Sequence, residues 1–450
     1  MNVALVYVNS TNCVGRGVGY VAGAIRNGGH LLDFYDTNKM SEKNIIGKIC
    51  SSYAEVLMVS SFSINFTLAL SIIKGIKKKR DIPVLLGGIH ATIMKERLLL
   101  EHRGIDFLCI GEGESMVIEF LDNIKSGNIY NTKNLAYRKD NKICINEISN
   151  PEDLSKLPEF PWDLFSSNAV VQDDDGFLYF TATRGCPFTC TYCSNTSYLE
   201  LYGKKYLRSR PVNDVMDELR YLANKYKPGL IYFADEMILS DKDYAVRLLL
   251  EYKRNFTIPY GCMCRAEYID ENIATLFSQT GCVYVGMGVE CGNEQFRKEH
   301  LNRFVTNERI ISAFSLLSKE KIYTCSFNMI GYPFGFDDEL TDETIKFNKQ
   351  LNPDSVQISI YYPFPGTKLY DKCVEENLID DTVNASNYYS ESILKGKHLK
   401  DKIESIRKIF PNKPYIPSGW KKRKSLMKTL RKYSYLIPPK VRTFIKNTVK

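Results

Sequence analysis

Residues 183–195 read TRGCPFTCTYCSN and place three cysteines at C-x3-C-x2-C spacing, Cys186, Cys190 and Cys193. An apolar run at residues 178–183 leads into this segment and predicts a strand that ends at the cysteine loop. Three thiolates on one loop can bind three corners of an iron–sulfur cube, which leaves the fourth iron without a protein ligand. An open metal position is typical of a catalytic site, because structural sites usually close it. The spacing therefore predicts a [4Fe–4S] cluster with a chemical role.

A structural zinc site is the alternative interpretation of the same loop. Zinc needs a fourth ligand, and no further Cys or His lies close by in the sequence, so the cluster is favoured. The thirteen cysteines of the chain are an odd number and are widely spread, which argues against a disulfide framework. We interpret most of the others as small apolar core residues.

The chain downstream of the loop alternates strand and helix patterns. Helices are expected at residues 213–226, capped by Asn213, and at residues 306–319. Six βα units in about 190 residues predict an incomplete (βα)6 barrel of the TIM type. The six predicted strands are residues 178–183, 230–233, 258–262, 283–289, 323–330 and 355–361.

The N-terminal part shows the same alternation and predicts a separate, doubly wound Rossmann-like sheet. Ligands of such sheets bind beyond the carboxyl ends of the strands, where Gly87-Gly88 and residues 111–115 fall. Its predicted strands are residues 3–8, 31–35, 56–60, 84–86 and 107–110. The fold class is therefore α/β. The expected division is residues 1–135 for this domain, 136–172 for a linker, 173–370 for the barrel and 371–450 for a helical C-terminal extension.

Charge and hydropathy indicate where the protein is located and what its C-terminal tail contacts. The net charge of +8 comes from residues 421–450, which hold eleven Lys or Arg, because the other residues carry 49 basic and 52 acidic side chains. No apolar stretch is long enough to span a membrane and no signal peptide is recognisable, so we expect a cytoplasmic protein. The basic tail has three interpretations: a helix that packs on the barrel, a contact with anionic lipids at the membrane surface, or a nucleic-acid contact, which no recognised module supports.

The cysteine loop and its position after a first barrel strand resemble the signature of the radical S-adenosylmethionine (SAM) superfamily. In that family the open iron binds the amino and carboxylate groups of SAM, and an electron from the cluster yields a 5′-deoxyadenosyl radical. The resemblance implies a reducing partner such as flavodoxin or ferredoxin. It also implies that Tyr192, Asp235 and Glu236 lie near SAM, the last two beside the methionine ammonium group, although a helix N-cap is the alternative for these carboxylates.

Further stretches resemble the same family and imply further SAM contacts. Arg265 matches the residue that pairs with the methionine carboxylate, with a surface arginine as the alternative, and Glu290 matches a residue that meets the ribose or the methionine. Gly331 and Pro333 match the fifth-strand segment that packs on adenine.

Residues 1–135 resemble the cobalamin-binding domain that often precedes this barrel. Residues 9–15 lack the Asp-x-His-x-x-Gly motif that ligates cobalt. Either cobalamin binds without a protein axial ligand, or the domain no longer binds cobalamin. His90 is the alternative ligand, although a hydrogen-bonded structural histidine is the more common situation. The residues implied to bind cobalamin are Ser60, Ser61, Ser63, Asn65, Gly87, Gly88, His90, Gly111, Glu112, Gly113 and Glu114.

The expected function is cobalamin-dependent methyl transfer to an unactivated carbon of a small-molecule or lipid-linked substrate. Three alternatives stay open: radical rearrangement, cyclisation or oxidation without methylation; a methylthiotransferase; and a non-catalytic corrin-binding protein. Methylthiotransferases bind a second cluster through three N-terminal cysteines, which Cys13 and Cys50 could mimic in part, but the third is missing near Gly87-Gly88 and Cys109 lies on a different strand. The general acids and bases are not assigned.

Overall fold

The fold is that of a computed structural model, which describes residues 1–172, 176–335, 337–380, 392–395 and 400–410. The basic tail at residues 421–450 lies outside these residues. Among the helices that are described, none is both long and apolar enough to cross a membrane.

The N-terminal domain is built on a seven-stranded sheet with the order β2-β1-β3-β4-β5-β6-β7. The first five strands are parallel. The chain adds β2 on one side of β1 and then β3, β4 and β5 on the other side, so the strand order reverses between β1 and β3. In sheets of this type, ligands bind at the carboxyl ends of the strands at such a switch point. The seven strands are β1 (Asn2–Val8), β2 (Leu31–Asp36), β3 (Val56–Ser61), β4 (Val84–Gly87), β5 (Phe107–Cys109), β6 (Leu135–Lys139) and β7 (Lys142–Ile145).

Helices cover both faces of this sheet. One face packs against α1 and α6, and the other packs mainly against α2, α3 and α5, so alternate residues of β1 enter two different cores. Parallel strands buried on both faces are near-continuously apolar, as β1 is. The helices are α1 (Arg16–Asn27), α2 (Glu42–Ser51), α3 (Phe66–Lys77), α4 (Ile89–Met94), α5 (Glu96–Glu101) and α6 (Glu114–Ser126).

The segment expected to be a linker belongs to the folded body. The antiparallel strands β6 and β7 extend the first sheet past residue 135, the predicted boundary. Phe160, Trp162 and Phe165 are buried in a core that also contains residues of both domains. The prolines and weak periodicity of this stretch suggested an exposed crossover, but its aromatic side chains fill the space between the sheet and the barrel.

The second sheet has six parallel strands in the order β15-β14-β13-β12-β11-β8 and confirms the incomplete (βα)6 barrel. Its edge strands β8 and β15 do not pair with each other within the described residues, so the barrel is open on one side. Its strands are β8 (Phe177–Phe180), β11 (Leu230–Phe233), β12 (Tyr260–Cys264), β13 (Cys282–Glu290), β14 (Tyr323–Ile330) and β15 (Ser355–Ile360). Two short strands, β9 (Thr183–Arg184) and β10 (Arg208–Ser209), form a separate antiparallel ribbon beside it.

The helices of the barrel part alternate with these strands. The helix predicted at residues 306–319 is confirmed, and Thr306 caps it, because its side chain accepts a hydrogen bond from the N–H of Arg309. The predicted cap at Asn213 is wrong: Pro211 precedes the helix, which begins one residue earlier, so Asn213 lies inside the first turn. The helices are α7 (Ser167–Val170), α8 (Asn195–Tyr202), α9 (Val212–Tyr226), α10 (Lys242–Asn255), α11 (Glu271–Thr280), α12 (Glu294–Glu299), α13 (Asn307–Lys319), α14 (Asp337–Leu351), α15 (Lys368–Glu375) and α16 (Lys400–Ile409).

Candidate functional site

The cysteine loop leaves the first barrel strand at the carboxyl end of the sheet. Gly185 precedes it at φ +104, and a Cβ there would lie 2.5 Å from the carbonyl oxygen of Tyr206, so a side chain is excluded. Cys190 is buried, and Cys186 and Cys193 are half-buried, all with free thiols. Burial raises the pKa of Cys186 and raises that of Cys193 to about 12. The thiolate form therefore needs a metal charge to offset the cost of burial, as a cluster would provide.

The zinc alternative requires a group of ligands around one metal ion. Within the residues that the structure describes, no group of three or more His, Cys, Asp or Glu side chains is arranged to hold a single metal ion. A [4Fe–4S] cube places each thiolate on a different iron, so its ligands are spread more widely than those of one zinc ion. No mononuclear site is therefore identified among the described residues, and the cluster stays the prediction for these three cysteines.

Asp235 has a different place from the one expected beside SAM. It is fully buried after β11, and its Oδ1 accepts hydrogen bonds from the N–H of Ala182 and from the N–H and hydroxyl of Thr183. The carboxylate therefore holds the bend between β8 and β9, from which the cysteine loop departs. The helix N-cap alternative is also wrong, because these donors belong to a neighbouring strand end.

Replacement of Asp235 by Asn should stabilise the protein at neutral pH. Burial raises the pKa of Asp235 from its ordinary value of 3.8 to about 6. Between these two values the folded protein holds more protons than the unfolded chain, so the stability contributed by this group falls as the pH rises through about 6. The Asn amide oxygen can keep the three hydrogen bonds without the charge, for a gain of up to about 3 kcal/mol.

Thermal unfolding midpoints of both proteins, measured from about pH 5 to about pH 8, check this prediction. The variant should unfold at the higher temperature at pH 8, and the difference should shrink toward pH 5. A difference that does not change with pH would contradict the assignment to Asp235.

Glu236 lines a cavity that lies next to the cysteine loop. Its side chain is accessible to water in the cavity, but protein surrounds it on most sides and raises its pKa. The nearby backbone of Gly185 partly offsets this rise in the pKa, which places the carboxylate beside the loop. Glu236 is therefore the member of the acidic pair that can meet an ammonium group.

Glu290 and Tyr192 are brought together by a residue that the sequence patterns missed. Glu290 ends β13 in the left-handed region at φ +66. The buried Arg303 lies 3.6 Å from Glu290 Oε1, and its Nη1 donates to the Tyr192 hydroxyl at 3.3 Å. Arg303 lies in residues 301–306, which carry no helix or strand pattern, so only its contacts reveal it. The ion pair holds the Glu290 carboxylate next to the cysteine loop.

Gly331 and Pro333 form the buried turn after β14. The N–H groups of Gly331 and Tyr332 both donate to Oδ1 of Asp337, at 2.8 and 2.9 Å. The turn is thus fixed by the first residue of α14. The adenine contact of Gly331 and Pro333 stays a prediction.

A cavity of about 500 Å³ lies between the two domains. Strand ends of the first sheet form one wall, and the barrel contributes Thr183, Arg184, Asn195 and Glu236 to the other. Seven residues predicted to bind cobalamin line it: Ser60, Gly87, Gly88, Gly111, Glu112, Gly113 and Glu114.

Two observations test whether this cavity suits a corrin. A Cβ added at Gly17 would meet no atom within 4 Å, so the wall borders open space there, and one at Gly87 would make only an ordinary van der Waals contact with Cys109, at 3.6 Å. The hydroxyl of Tyr20, also in the wall, is buried without a hydrogen-bond partner among the described residues. A large ligand with polar side arms, such as cobalamin, fits both features.

The remaining predicted cobalamin residues do not line the cavity. His90 is buried, its Nδ1 lies 3.0 Å from the Ser63 hydroxyl, and its ring packs on Phe66. Ser61 donates to the carbonyl oxygen of Phe62, and Asn65 precedes α3. His90 is therefore a hydrogen-bonded structural histidine rather than a residue of the cavity wall. No histidine is among the cavity-lining residues described.

The N-terminal cysteines do not assemble into a second cluster site. Cys13 follows β1 at the carboxyl end of the sheet, whereas Cys50 lies in the last turn of α2, which leads to the amino end of β3. The two thiols thus lie at opposite ends of the parallel strands, and Cys109 is buried under the cavity. The methylthiotransferase alternative lacks its ligands.

Buried ion pairs join the two domains at the cavity rim, and the sequence did not predict them. Glu112 of the first domain pairs with Arg208, whose Nη1 donates at 2.8 Å, and with Arg184 at 3.1 Å. Arg184 also pairs with Glu114 at 2.6 Å. Burial alone would raise the pKa of Glu112, but these guanidinium groups outweigh it and hold the pKa below its ordinary value.

Two family models match the chain, one in the N-terminal part and one in the barrel. The model of the radical SAM superfamily matches residues 180–347, and that of the B12 binding domain matches residues 5–121. The chain belongs to the radical SAM superfamily of enzymes and carries a B12 binding domain ahead of its barrel. The cofactors expected of these two domains are a [4Fe–4S] cluster, SAM and cobalamin.

Individual proteins are similar over most of the chain. A methyltransferase of Pyrococcus horikoshii, itself uncharacterised, is 29% identical over 338 residues, which are 74% of this chain and 71% of that protein. The anaerobic magnesium-protoporphyrin IX monomethyl ester cyclase of Rubrivivax gelatinosus is 26% identical over 434 residues, 92% of this chain and 76% of that protein. The structure of the radical SAM methyltransferase TsrM from Kitasatospora setae, with cobalamin and a [4Fe–4S] cluster bound, superimposes with a TM-score of 0.68 at 18% identity, over 84% of this chain and 75% of that one.

Proposed function

We propose that this protein is a cobalamin-dependent radical SAM methyltransferase that methylates an unactivated carbon. The observation that carries the proposal is the shared cavity: glycine-lined strand ends of the B12 binding domain face the barrel side next to the cysteine loop. Two cofactors bound on opposite walls would both reach a substrate placed between them. The related methyltransferase of Pyrococcus horikoshii supports the same reaction class.

The side chains on each wall suit distinct tasks. When bound, the cluster would supply the electron that cleaves SAM, and cobalamin would carry the methyl group. Cys186, Cys190 and Cys193 would hold the cluster, and Glu236 would orient the SAM ammonium group through an ion pair. Tyr198 and Tyr206 lie in the cavity wall with their stacked ring centroids 5.5 Å apart and would cover the bound cofactors with apolar surface. We further propose that a flavodoxin or ferredoxin delivers the electron.

Product analysis tests this proposal. The protein, reconstituted with cluster and hydroxocobalamin, is incubated with SAM, a reductant and candidate small-molecule or lipid-linked acceptors. Methyl transfer by this mechanism should yield S-adenosylhomocysteine and 5′-deoxyadenosine in equal amounts, with the methyl group recovered on carbon. Formation of 5′-deoxyadenosine without S-adenosylhomocysteine would contradict methylation.

That second outcome would favour radical oxidation or cyclisation, the other candidate. The similarity to the cyclase of Rubrivivax gelatinosus covers more of this chain than the similarity to the Pyrococcus methyltransferase, which is a specific reason to retain it. Iron and cobalt contents after gel filtration, together with SAM cleavage, distinguish both candidates from a corrin-binding protein without catalysis. Such a protein should retain cobalt but cleave no SAM.

A further inference from the structure

Arg265 is fixed against the cysteine loop. It follows β12, is only 8% exposed, and its Nη1 donates to the Sγ of Cys190 at 3.4 Å. Its guanidinium lies over the ring of Phe188, with Cζ 3.5 Å from the ring centroid. The side chain thus contacts two residues of the loop, one through a sulfur and one through an aromatic face. It is not the surface arginine that the sequence left open.

A carboxylate neutralises the other side of the same guanidinium. Nε of Arg265 donates to Oε1 of Glu267 at 3.0 Å, and Nη2 donates to the same oxygen. Oε2 of Glu267 is buried without a hydrogen-bond partner among the described residues. The order from the loop outward is therefore the sulfur of Cys190, the cation of Arg265 and the anion of Glu267.

We propose that Arg265 is a positioning residue that raises the reduction potential of the cluster through its N–H···S hydrogen bond to Cys190. Reduction adds one electron to the cluster, and a donor and positive charge at a ligand sulfur stabilise the more negative, reduced state. The Phe188 ring covers the guanidinium and lowers the local dielectric, which strengthens the effect. Glu267 weakens it, because its charge opposes that of Arg265. This role differs from the methionine carboxylate contact expected from the resemblance.

The test is a redox titration of the reconstituted full chain, followed by electron paramagnetic resonance, without SAM and without substrate. In R265M the ratio of reduced to oxidised cluster at a fixed solution potential should fall at least tenfold, which for a one-electron couple equals 59 mV. R265K keeps the charge but loses the flat donor fork, so its shift should be smaller. E267Q removes the opposing charge and should shift the potential in the other direction.

Iron and sulfide contents show which variants carry an intact cluster. If R265M does not carry one, the shift of the potential in E267Q decides the test. R220M serves as the matched control, because Arg220 is an exposed arginine on α9 that pairs with Asp217 rather than with a residue of the loop, and it should leave the potential unchanged. An unchanged potential in R265M with intact cluster, or no opposite shift in E267Q, would overturn the inference. A weaker SAM affinity in R265M with an unchanged potential would instead assign Arg265 to the methionine carboxylate. Neither outcome depends on methyl transfer, since no substrate is present.

Discussion

Replacement of any one of Cys186, Cys190 and Cys193 by alanine should abolish cluster binding and turnover. Each cysteine is expected to supply one of three corners of the cube, and no spare Cys or His completes a metal-binding group among the described residues. The iron content should fall from about four atoms per chain to below one after anaerobic reconstitution. SAM cleavage to 5′-deoxyadenosine should become undetectable, because the electron has no other source in the site.

Cysteine-to-alanine replacement elsewhere should have no such effect. Cys144 lies in the antiparallel strand β7, away from the cavity and the loop, and is half-buried like Cys186. C144A should retain the iron content and the SAM cleavage rate of the unmodified chain. Turnover that persists in a loop variant without iron would rule out radical chemistry at this site.

Replacement of Glu112 by alanine should destabilise the protein by about 3–5 kcal/mol, the cost of breaking a buried ion pair on one side. The Glu112 side chain is only 9% exposed and that of Arg208 15%, so little water can replace the lost carboxylate. Arg184 would keep Glu114 as its partner, but Arg208 would lose the carboxylate that it contacts. Because Glu112 lines the cavity between the domains, the variant should also retain less cobalamin.

Denaturant unfolding of the cofactor-free protein measures the first effect, and corrin absorbance after gel filtration measures the second. E147A is the matched control, since Glu147 pairs with Lys133 on the surface and is 76% exposed. Its stability should change by less than about 0.5 kcal/mol. If E112A and E147A lost similar stability, the ion pairs at the cavity rim would not hold the domains together.

The strands of both sheets were predictable because their signal is local. The predicted bounds 230–233 and 323–330 coincide with β11 and β14, and short apolar runs between helical patterns suffice to identify parallel strands. The boundary at residue 135 was wrong for the opposite reason. Strands β6 and β7 are weakly apolar, and their pairing with β5 depends on a neighbour that local periodicity does not encode.

Some features of the candidate site were likewise predictable from local sequence, and others were not. The C-x3-C-x2-C spacing and the glycines at strand ends are contained in short segments, so the cluster loop and the cavity wall could be predicted from residue order. The partners Arg303 of Glu290 and Arg208 of Glu112 lie 13 and 96 residues away in sequence, and no pattern linked them.

Residue order thus predicted the chemistry of the cysteine loop, because its three thiols lie within eight residues of one another. Folding decided which charges surround it. Asp235 and Glu236 are adjacent in sequence, yet one faces the buried bend at Ala182 and Thr183 while the other faces the cavity. Arg265 likewise contacts Cys190 and Glu267 because β12 brings it to the first strand's loop. Side-chain charges act through space, so their roles follow from tertiary packing rather than from position in the chain.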